Sequence, residues 1–228
     1  MANDITINLA TEGVKLATPL KLLILLTLLS LAPSILIMFT TFVRIVIVLA
    51  LVRQAIGTPT IPPNQVIVSL ALFLTFYIMA PIFQKIYNDA FVPYVKNEIT
   101  DTEFIKRASQ PIREFMLINT QKSSLKIFMD MANLPPSERT PQKIPWRVLI
   151  PAYMVSEIKT AFEIVFLLYL PFLVIDVVVA TILIGLGIFM LPPTVISLPL
   201  KLIVFVLVNG WELLAKVLVK SYNIPNLP

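Results

Sequence analysis

Residues 148–191 read VLIPAYMVSEIKTAFEIVFLLYLPFLVIDVVVATILIGLGIFML, and this apolar stretch decides the fold. One bilayer crossing needs about 20 apolar residues, so the stretch is about twice as long as a single span. It contains Pro151 and Pro171, and proline removes a backbone donor and disturbs a helix interior. We therefore predict that it folds as two segments within a membrane protein.

The composition of the whole chain supports this assignment. The 228 residues are 57% hydrophobic, above the roughly 45–50% apolar content of a soluble domain, and their mean hydropathy is +0.88. The chain has no Cys and no His, which excludes disulfides, thiolate chemistry and the usual zinc sites and general bases. We expect an all-α membrane protein that is not an enzyme and has no catalytic residue, metal or cofactor.

Prolines and charges divide the chain into segments. Residues 1–18 are polar and lack the pattern of a signal peptide. Residues 19–83 are predicted to form a first helical hairpin, either with one kinked helix over 20–52 or with two pieces hinged at Pro33. Its two arms meet at the Gly- and Pro-rich connection 53–65. A second hairpin over 148–220 is predicted to break at Pro192-Pro193, with a last helix from Val195 to Val219 and a tail at 221–228.

The middle segment, residues 84–147, is predicted to be a small soluble domain of short amphipathic helices. It holds ten of the eighteen Lys and Arg and seven of the thirteen Asp and Glu. Helices are predicted to start at Thr100-Asp101-Thr102-Glu103 and at Ser109-Gln110-Pro111. The mixed charges do not indicate binding to nucleic acid.

The apolar segments contain charged residues that hydrocarbon disfavours unless they pair or face water. Lys159 and Glu163 are four positions apart and can pair along one helix face. Glu157 points elsewhere, and we predict Lys201 of a neighbouring subunit as its partner, with intrachain pairing or hydration as the alternative.

For Arg44 and Asp176, contact with polar backbone or water and a transport role both remain open. A proton relay through Glu157, Glu163 and Asp176 is disfavoured because no string of acids shares a face. Seven intramembrane charges are predicted: Arg44, Glu157, Lys159, Glu163, Asp176, Lys201 and Glu212.

The segment GLGIFMLPP at 185–193 allows two interpretations. It is a hairpin turn in the simpler one, with Gly185, Gly187, Pro192 and Pro193 as hinge positions. In the other, Ile188, Phe189 and Met190 form a hydrophobic constriction contributed by each subunit of a ring, since bulky flexible side chains can pack shut and still yield.

Several motifs in order make the chain resemble the FliP family of flagellar export-gate proteins, whose counterparts in injectisomes are the SctR proteins. The resemblance covers about residues 20–215. The matching motifs include FVRI at 42–45, LVRQAIG at 51–57, PPNQV at 62–66, LALFLT at 70–75, YNDA at 87–90, PIREFM at 111–116, SEIKTAF at 156–162, LPFLVID at 170–176 and MLPP at 190–193.

The resemblance implies several copies, a pentamer in the family, that form a closed helical ring with FliQ-like and FliR-like subunits. Further implied partners are FlhA-like and FlhB-like proteins, a FliO-like assembly factor and unfolded export substrates. The implied location is the bacterial inner membrane at the flagellar basal body, with 84–147 in the periplasm, although counting basic residues alone would place that loop inside.

Single residues can also be carried over from the resemblance. Glu157 and Lys201 match intersubunit polar contacts, and residues 188–190 match a methionine-rich constricting loop. Ile188 and Phe189 depart from that pattern, and Glu163 stands where Gln is common. The leading hypothesis is a pore-forming subunit of the flagellar type III export gate. The alternatives are an ion- or proton-coupled transporter and an injectisome export-gate subunit.

Overall fold

The computed structural model describes residues 18–224, which contain helices and loops but no strand. The predicted segment 1–18, apart from Thr18, and residues 225–228 of the predicted tail lie outside this range. The chain divides into two compact units, one ending at Ile37 and the other beginning at Met38. Nine α-helices follow one another in the described range: α1 (Thr18–Phe39), α2 (Phe42–Ala55), α3 (Asn64–Ile86), α4 (Val92–Val95), α5 (Asp101–Asn119), α6 (Lys122–Met131), α7 (Trp146–Gly185), α8 (Pro193–Leu207) and α9 (Gly210–Lys220).

The first predicted arm forms two helices, but they separate at Thr40-Thr41 and Pro33 stays inside α1. The predicted connection at 53–65 is confirmed with narrower bounds, since α2 ends at Ala55 and α3 begins at Asn64. Gly57 has φ +94° in this connection, a backbone conformation that residues with a Cβ adopt only with strain.

The second predicted arm is longer than expected. A π-helical segment, Tyr87–Phe91, joins α3 to α4, so a single apolar helix runs from Asn64 to Val95. The predicted boundary at residue 83 therefore falls inside this helix. Because helical hydrogen bonds continue through the π-helical segment, the change from apolar to charged residues does not end the helix.

Helix α7 is one helix of 40 residues, Trp146–Gly185, and the predicted division of this stretch into two segments is wrong. At 1.5 Å per residue it is about 60 Å long, roughly twice the thickness of a bilayer core. Pro151 and Pro171 lie inside it. A proline removes one hydrogen bond and bends a helix, and the helix continues where neighbouring groups compensate.

The last predicted helix is divided in two. Helix α8 ends at Leu207 and α9 begins at Gly210, and the two helices meet at a bend of 63°. Asn209 has left-handed backbone angles, φ 51° and ψ 51°, and Asn is among the few residues with a Cβ that adopt them readily.

Two helices in the described range are long and apolar enough to cross a membrane, Asn64–Val95 and Trp146–Gly185. The bent pair α8–α9 would be a third if it acts as one span. Only 17% of the most apolar part of Trp146–Gly185 is buried within the chain. The rest of that surface requires lipid or another protein chain to cover it.

The hydrophobic core is built around α2, which packs against α3 and α7. Three of its side chains, Ile45, Val48 and Leu49, are almost completely buried. They belong to one cluster with Ile78 of α3 and Leu149 of α7. Helix α2 is therefore the central element of the core, and the long helices α3 and α7 both pack against it.

In the middle segment the predicted helix start at Thr100 is confirmed. The Thr100 hydroxyl accepts a hydrogen bond of 3.4 Å from the Glu103 N–H, which caps α5. The hydrogen bond from Arg107 and the charge of Lys106 lower the pKa of the Glu103 carboxyl. The second predicted start is wrong, because Pro111 lies inside α5 and the helix continues to Asn119.

Candidate functional site

The predicted constriction lies in the loop between α7 and α8, two helices that pack against each other. The loop begins with a regular helix ending. The Ile188 N–H donates to the Leu183 carbonyl at 2.9 Å, and the Gly187 N–H donates to the Ile184 carbonyl at 3.0 Å. This is the hydrogen-bond pattern of a Schellman motif, which requires a left-handed residue. Gly187 fills that position with φ +75°.

The other predicted hinge residues define the edges of the loop. Gly185 is the last residue of α7, and a Cβ at that position would meet nothing within 4 Å. Pro192 precedes α8 and Pro193 is its first residue, where the missing N–H of proline does no harm. Both ends of the loop are thus fixed by local backbone chemistry.

The residues between these ends expose apolar side chains. Ile188 is 42% exposed, Phe189 is 76% exposed and Met190 is 97% exposed. These three residues are called the tip below. A cluster of large exposed apolar groups at the end of a helical hairpin indicates an apolar environment that the single chain does not contain.

Behind the hairpin, α7 is bound to α2 through a buried ion pair. The guanidinium of Arg44 contacts both carboxylate oxygens of Glu157, one of them from Nε at 3.1 Å. The two side chains are 2% and 0% exposed. Nη1 of Arg44 also donates to the Ser221 carbonyl at 2.7 Å and lies 3.0 Å from the Ser221 hydroxyl. A bidentate pair of this kind fixes both the distance and the relative orientation of α2 and α7.

Two tyrosines complete this buried network. The Tyr222 hydroxyl lies 2.6 Å from Oε2 of Glu157 and 3.1 Å from the Thr41 carbonyl. Its single proton can serve one of them, and the shorter distance favours the carboxylate. The Tyr222 ring lies 3.8 Å from the Arg44 guanidinium carbon, which adds a cation–π contact. The Tyr153 hydroxyl donates to the Thr40 carbonyl at 2.9 Å.

A second ion pair joins α7 to α8 nearer the tip. Nζ of Lys201 lies 2.5 Å from Oδ2 of Asp176 and 3.4 Å from the Ala55 carbonyl at the end of α2. The Lys201 side chain is 7% exposed, whereas that of Asp176 is 30% exposed. Lys201, which lies on α8, therefore contacts both α7 and α2.

These contacts correct the predicted pair between Glu157 and Lys201. Each residue has its partner in the same chain, Arg44 for one and Asp176 for the other. The intrachain alternative therefore applies, and complete burial leaves Glu157 no surface for a neighbouring subunit. Arg44 and Asp176, whose environments were left open, are the partners that sequence reasoning did not assign.

The remaining charges predicted to lie within the membrane, Lys159, Glu163 and Glu212, are exposed on the chain. Lys159 and Glu163 form the predicted pair at 3.8 Å, with both side chains about half exposed. Gln121 donates to Glu163 at 3.3 Å. Glu212 pairs with Lys216 at 2.7 Å. Among residues 18–224 there is no group of three or more Asp and Glu that could hold a metal ion.

The network also contains residues that the sequence analysis missed, Ser221 and Tyr222. Both lie just after α9, in a segment without a motif. The charge of Arg44 could have indicated that further polar partners exist, because a buried guanidinium requires more acceptors than one carboxylate supplies.

Comparison with known proteins agrees with the motif pattern. The model of the FliP family matches residues 25–218. The flagellar biosynthetic protein FliP of Aquifex aeolicus (strain VF5) is 59% identical over 213 residues, covering 93% of this chain and 89% of that protein. The protein of the same name from Bacillus subtilis (strain 168) is 46% identical over 222 residues, covering 97% of this chain and 100% of that protein. The one from Pectobacterium carotovorum subsp. carotovorum is 46% identical over 218 residues, with coverage of 96% and 84%.

Proposed function

The chain belongs to the FliP family, and from this membership we propose that it is a pore-forming subunit of the flagellar type III protein export gate. In this proposal several copies, five as in the resembled family, surround a passage for unfolded flagellar proteins across the bacterial inner membrane. FliQ-like and FliR-like subunits complete the ring. FlhA-like, FlhB-like and FliO-like proteins are the further partners proposed.

The observation that carries the proposal is the exposed tip on a fixed hairpin. In the single chain Met190 is 97% exposed and Phe189 is 76% exposed, while the loop around them is held by the Schellman motif and by Pro193. Copies arranged around an axis would bring these side chains together. A ring of apolar groups can close a narrow passage by excluding water and ions.

The three side chains of the tip differ in how easily they change shape. Met190 is unbranched and adapts its shape, whereas Ile188 is β-branched and Phe189 has a rigid ring. In our proposal Met190 yields to a passing chain and Phe189 supplies most of the blocking area. The seal then reforms because apolar burial is favourable at about 25 cal/mol per Å².

The hairpin behind the tip supports a role as a rigid arm. Lys201 connects α8 to Asp176 of α7 and to the end of α2, and Glu157 connects α7 to Arg44. Because these charges are paired within the chain, the exposed apolar surface of α7 can face lipid or a neighbouring subunit. The long helices then place the tip at a constant depth.

Replacing the tip by alanine tests the proposal. The triple variant should raise the ion conductance of the closed channel at least about tenfold, because water re-enters a passage that has lost its apolar side chains. It carries Ile188→Ala, Phe189→Ala and Met190→Ala. The measurement is ion conductance across planar bilayers containing the assembled complex.

A matched control uses three other exposed apolar residues, at the opposite end of α8 from the tip. Val206→Ala, Leu207→Ala and Val208→Ala shorten side chains that are at least half exposed at the bend between α8 and α9. This control should leave conductance at the level of the unmodified protein. Equal conductance in the tip variant and the unmodified protein would reject the tip as the seal.

A further inference from the structure

Arg53 is a buried cation that has no carboxylate partner in the described part of the chain. It lies in the last turn of α2 and is 6% exposed. Among residues 18–224 no carboxylate lies within 4.0 Å of its side-chain nitrogens, whereas the buried cations Arg44 and Lys201 each contact one. A buried guanidinium without a counter-charge is costly. Arg53 therefore indicates an anion that the single chain does not supply.

The guanidinium of Arg53 makes only one hydrogen bond to the described residues. Nη1 donates to the Pro62 carbonyl at 2.7 Å. Nε is enclosed and has no acceptor among the described residues, and Nη2, which has none either, is not enclosed. A ligand can therefore reach Nη2 from outside while the rest of the side chain stays buried.

The helices around Arg53 contain no acid that is free to pair with it. No Asp or Glu occurs from residue 13 to residue 88, a range that includes α2, the connection and all of α3. Helix α8, whose Leu198 lies against Gly57 of the connection, has none either. Asp176 of α7 is paired with Lys201. Within the described residues, the site is thus open to an anion from another molecule.

Arg53 points at the start of α3, which is a second source of positive charge. Pro62, whose carbonyl it binds, directly precedes Pro63, the N-cap residue of α3. No side chain caps this helix, and the N–H groups of Asn64 and Gln65 have no acceptor among the described residues. Free N–H groups and the helix dipole make a helix N-terminus attractive to phosphate. The planar fork of arginine suits phosphate as well.

The position of this site along α3 matches the depth of lipid headgroups. Residues 66–84 contain no charged residue and are about 28 Å long at 1.5 Å per residue. This length is close to the ~30 Å thickness of the hydrocarbon core of a bilayer. The uncharged run begins two residues after the start of α3 at Asn64. When this run crosses the hydrocarbon, Arg53 and the start of α3 lie at its edge, where lipid phosphates are found.

An exposed apolar face runs from the site along α3. Val66, Phe73 and Phe76 are 51%, 73% and 51% exposed, and their spacing of seven and three positions places them on one side of the helix. A phospholipid combines a phosphate with apolar chains, so one molecule would cover both the charge and this face. A carboxylate of a protein partner would cover the charge and require a separate apolar surface along α3. The arrangement therefore favours a lipid.

We propose that Arg53 and the start of α3 bind the phosphate of an anionic phospholipid whose acyl chains lie along Val66, Phe73 and Phe76. Phosphatidylglycerol is expected to bind better than phosphatidylethanolamine, because the latter brings an ammonium group and the site has no carboxylate to pair with it. The lipid gives Nη2 a charged acceptor and stabilises the connection between α2 and α3. This site goes beyond the proposed function, since it depends neither on the tip nor on the number of copies that assemble.

Lipid titration of the full chain in detergent, followed by native mass spectrometry, tests the site. Arg53→Met keeps an apolar stem but removes the charge, and it should weaken phosphatidylglycerol binding at least about tenfold, the value of a charged hydrogen bond. Arg107→Met is the matched control, since Arg107 is exposed and paired with Glu103. Its affinity should stay within about twofold of the unmodified protein. Equal phosphatidylglycerol binding by Arg53→Met and the unmodified protein would overturn the proposal.

The choice of lipid distinguishes the sources of the anion. The unmodified protein should bind phosphatidylglycerol at least about fivefold more tightly than phosphatidylethanolamine with the same acyl chains, because the ammonium stays unpaired. Glycerol 1-phosphate, which has no acyl chains, should bind at least about a hundredfold more weakly than phosphatidylglycerol. Equal binding of glycerol 1-phosphate would indicate a site for free phosphate and overturn the lipid proposal. Equal binding of the two lipids would overturn it as well and indicate a carboxylate of a partner protein at Arg53.

Two further variants keep the test decisive if Arg53→Met does not fold. Arg53→Lys keeps the charge but loses the planar fork, and it should bind phosphatidylglycerol at least about threefold more weakly. Phe73→Ala with Phe76→Ala should weaken the binding of both lipids by a similar factor of about three or more and leave the preference between them unchanged. Melting in detergent checks the fold, and phosphatidylglycerol should raise the melting temperature of the unmodified protein. Unchanged lipid binding in both of these variants would overturn the proposal.

Discussion

Replacing Glu157 by Gln is expected to lower the free energy of unfolding by about 3–5 kcal/mol, because removal of one partner leaves the other charge buried and uncompensated. The Arg44 guanidinium is 2% exposed and cannot reach water without opening the contact between α2 and α7. Its remaining acceptors are all neutral: the amide oxygen that replaces the carboxylate, and the carbonyl and hydroxyl of Ser221. The measurement is denaturant unfolding of the single chain in detergent.

The matched control is Glu163→Gln, on the same helix. Glu163 and its partner Lys159 are about half exposed, so this change should lower the free energy of unfolding by less than about 1 kcal/mol. Arg44→Met combined with Glu157→Leu should recover much of the loss, because an apolar pair needs no charge compensation. Equal effects of Glu157→Gln and Glu163→Gln would contradict the importance of the buried network.

Replacing Asp176 by Asn is expected to lower the free energy of unfolding by about 2–3 kcal/mol, the value of a charged hydrogen bond together with a stranded partner. The substitution leaves the Lys201 ammonium, whose side chain is 7% exposed, without a counter-charge, since the new amide oxygen and the Ala55 carbonyl at 3.4 Å are both neutral acceptors. The same unfolding measurement applies.

Lys201→Met provides the comparison for this second pair. Methionine keeps the length and the apolar stem of lysine, and the Asp176 carboxylate that remains is 30% exposed, so it can be hydrated or protonated. Lys201→Met should therefore destabilise the chain less than Asp176→Asn. The reverse order would show that the pair acts mainly through Asp176 and not through the burial of Lys201.

The parts of the fold that the sequence predicted depend on local chemistry. The connection at 53–65 follows from its glycine and prolines, and the start of α5 follows from the Thr100 cap. The break before α8 follows from Pro192-Pro193, although α8 begins at Pro193 and not at the predicted Val195. The Lys159–Glu163 pair follows from helical spacing alone. Each of these features needs only a few neighbouring residues.

The parts that the sequence did not predict depend on contacts between distant residues. Arg44 and Glu157 are 113 positions apart, and no spacing rule links them. Helix α7 continues through Pro171 because packing and bending, which a proline count does not include, decide whether a helix ends. The bend at Asn209 is local, but Asn is also common in ordinary loops, so its signal is weak.

The central claim is that the tips of several copies meet at a common axis, and crosslinking at Met190 tests it most directly. Met190→Cys introduces the only thiol of the chain, at a position 97% exposed in the single chain. In the assembled gate, oxidation should join neighbouring copies through this residue and hold the passage closed to export substrates. An assembled oligomer whose Met190→Cys thiols all remain reactive and unlinked after oxidation would contradict the claim.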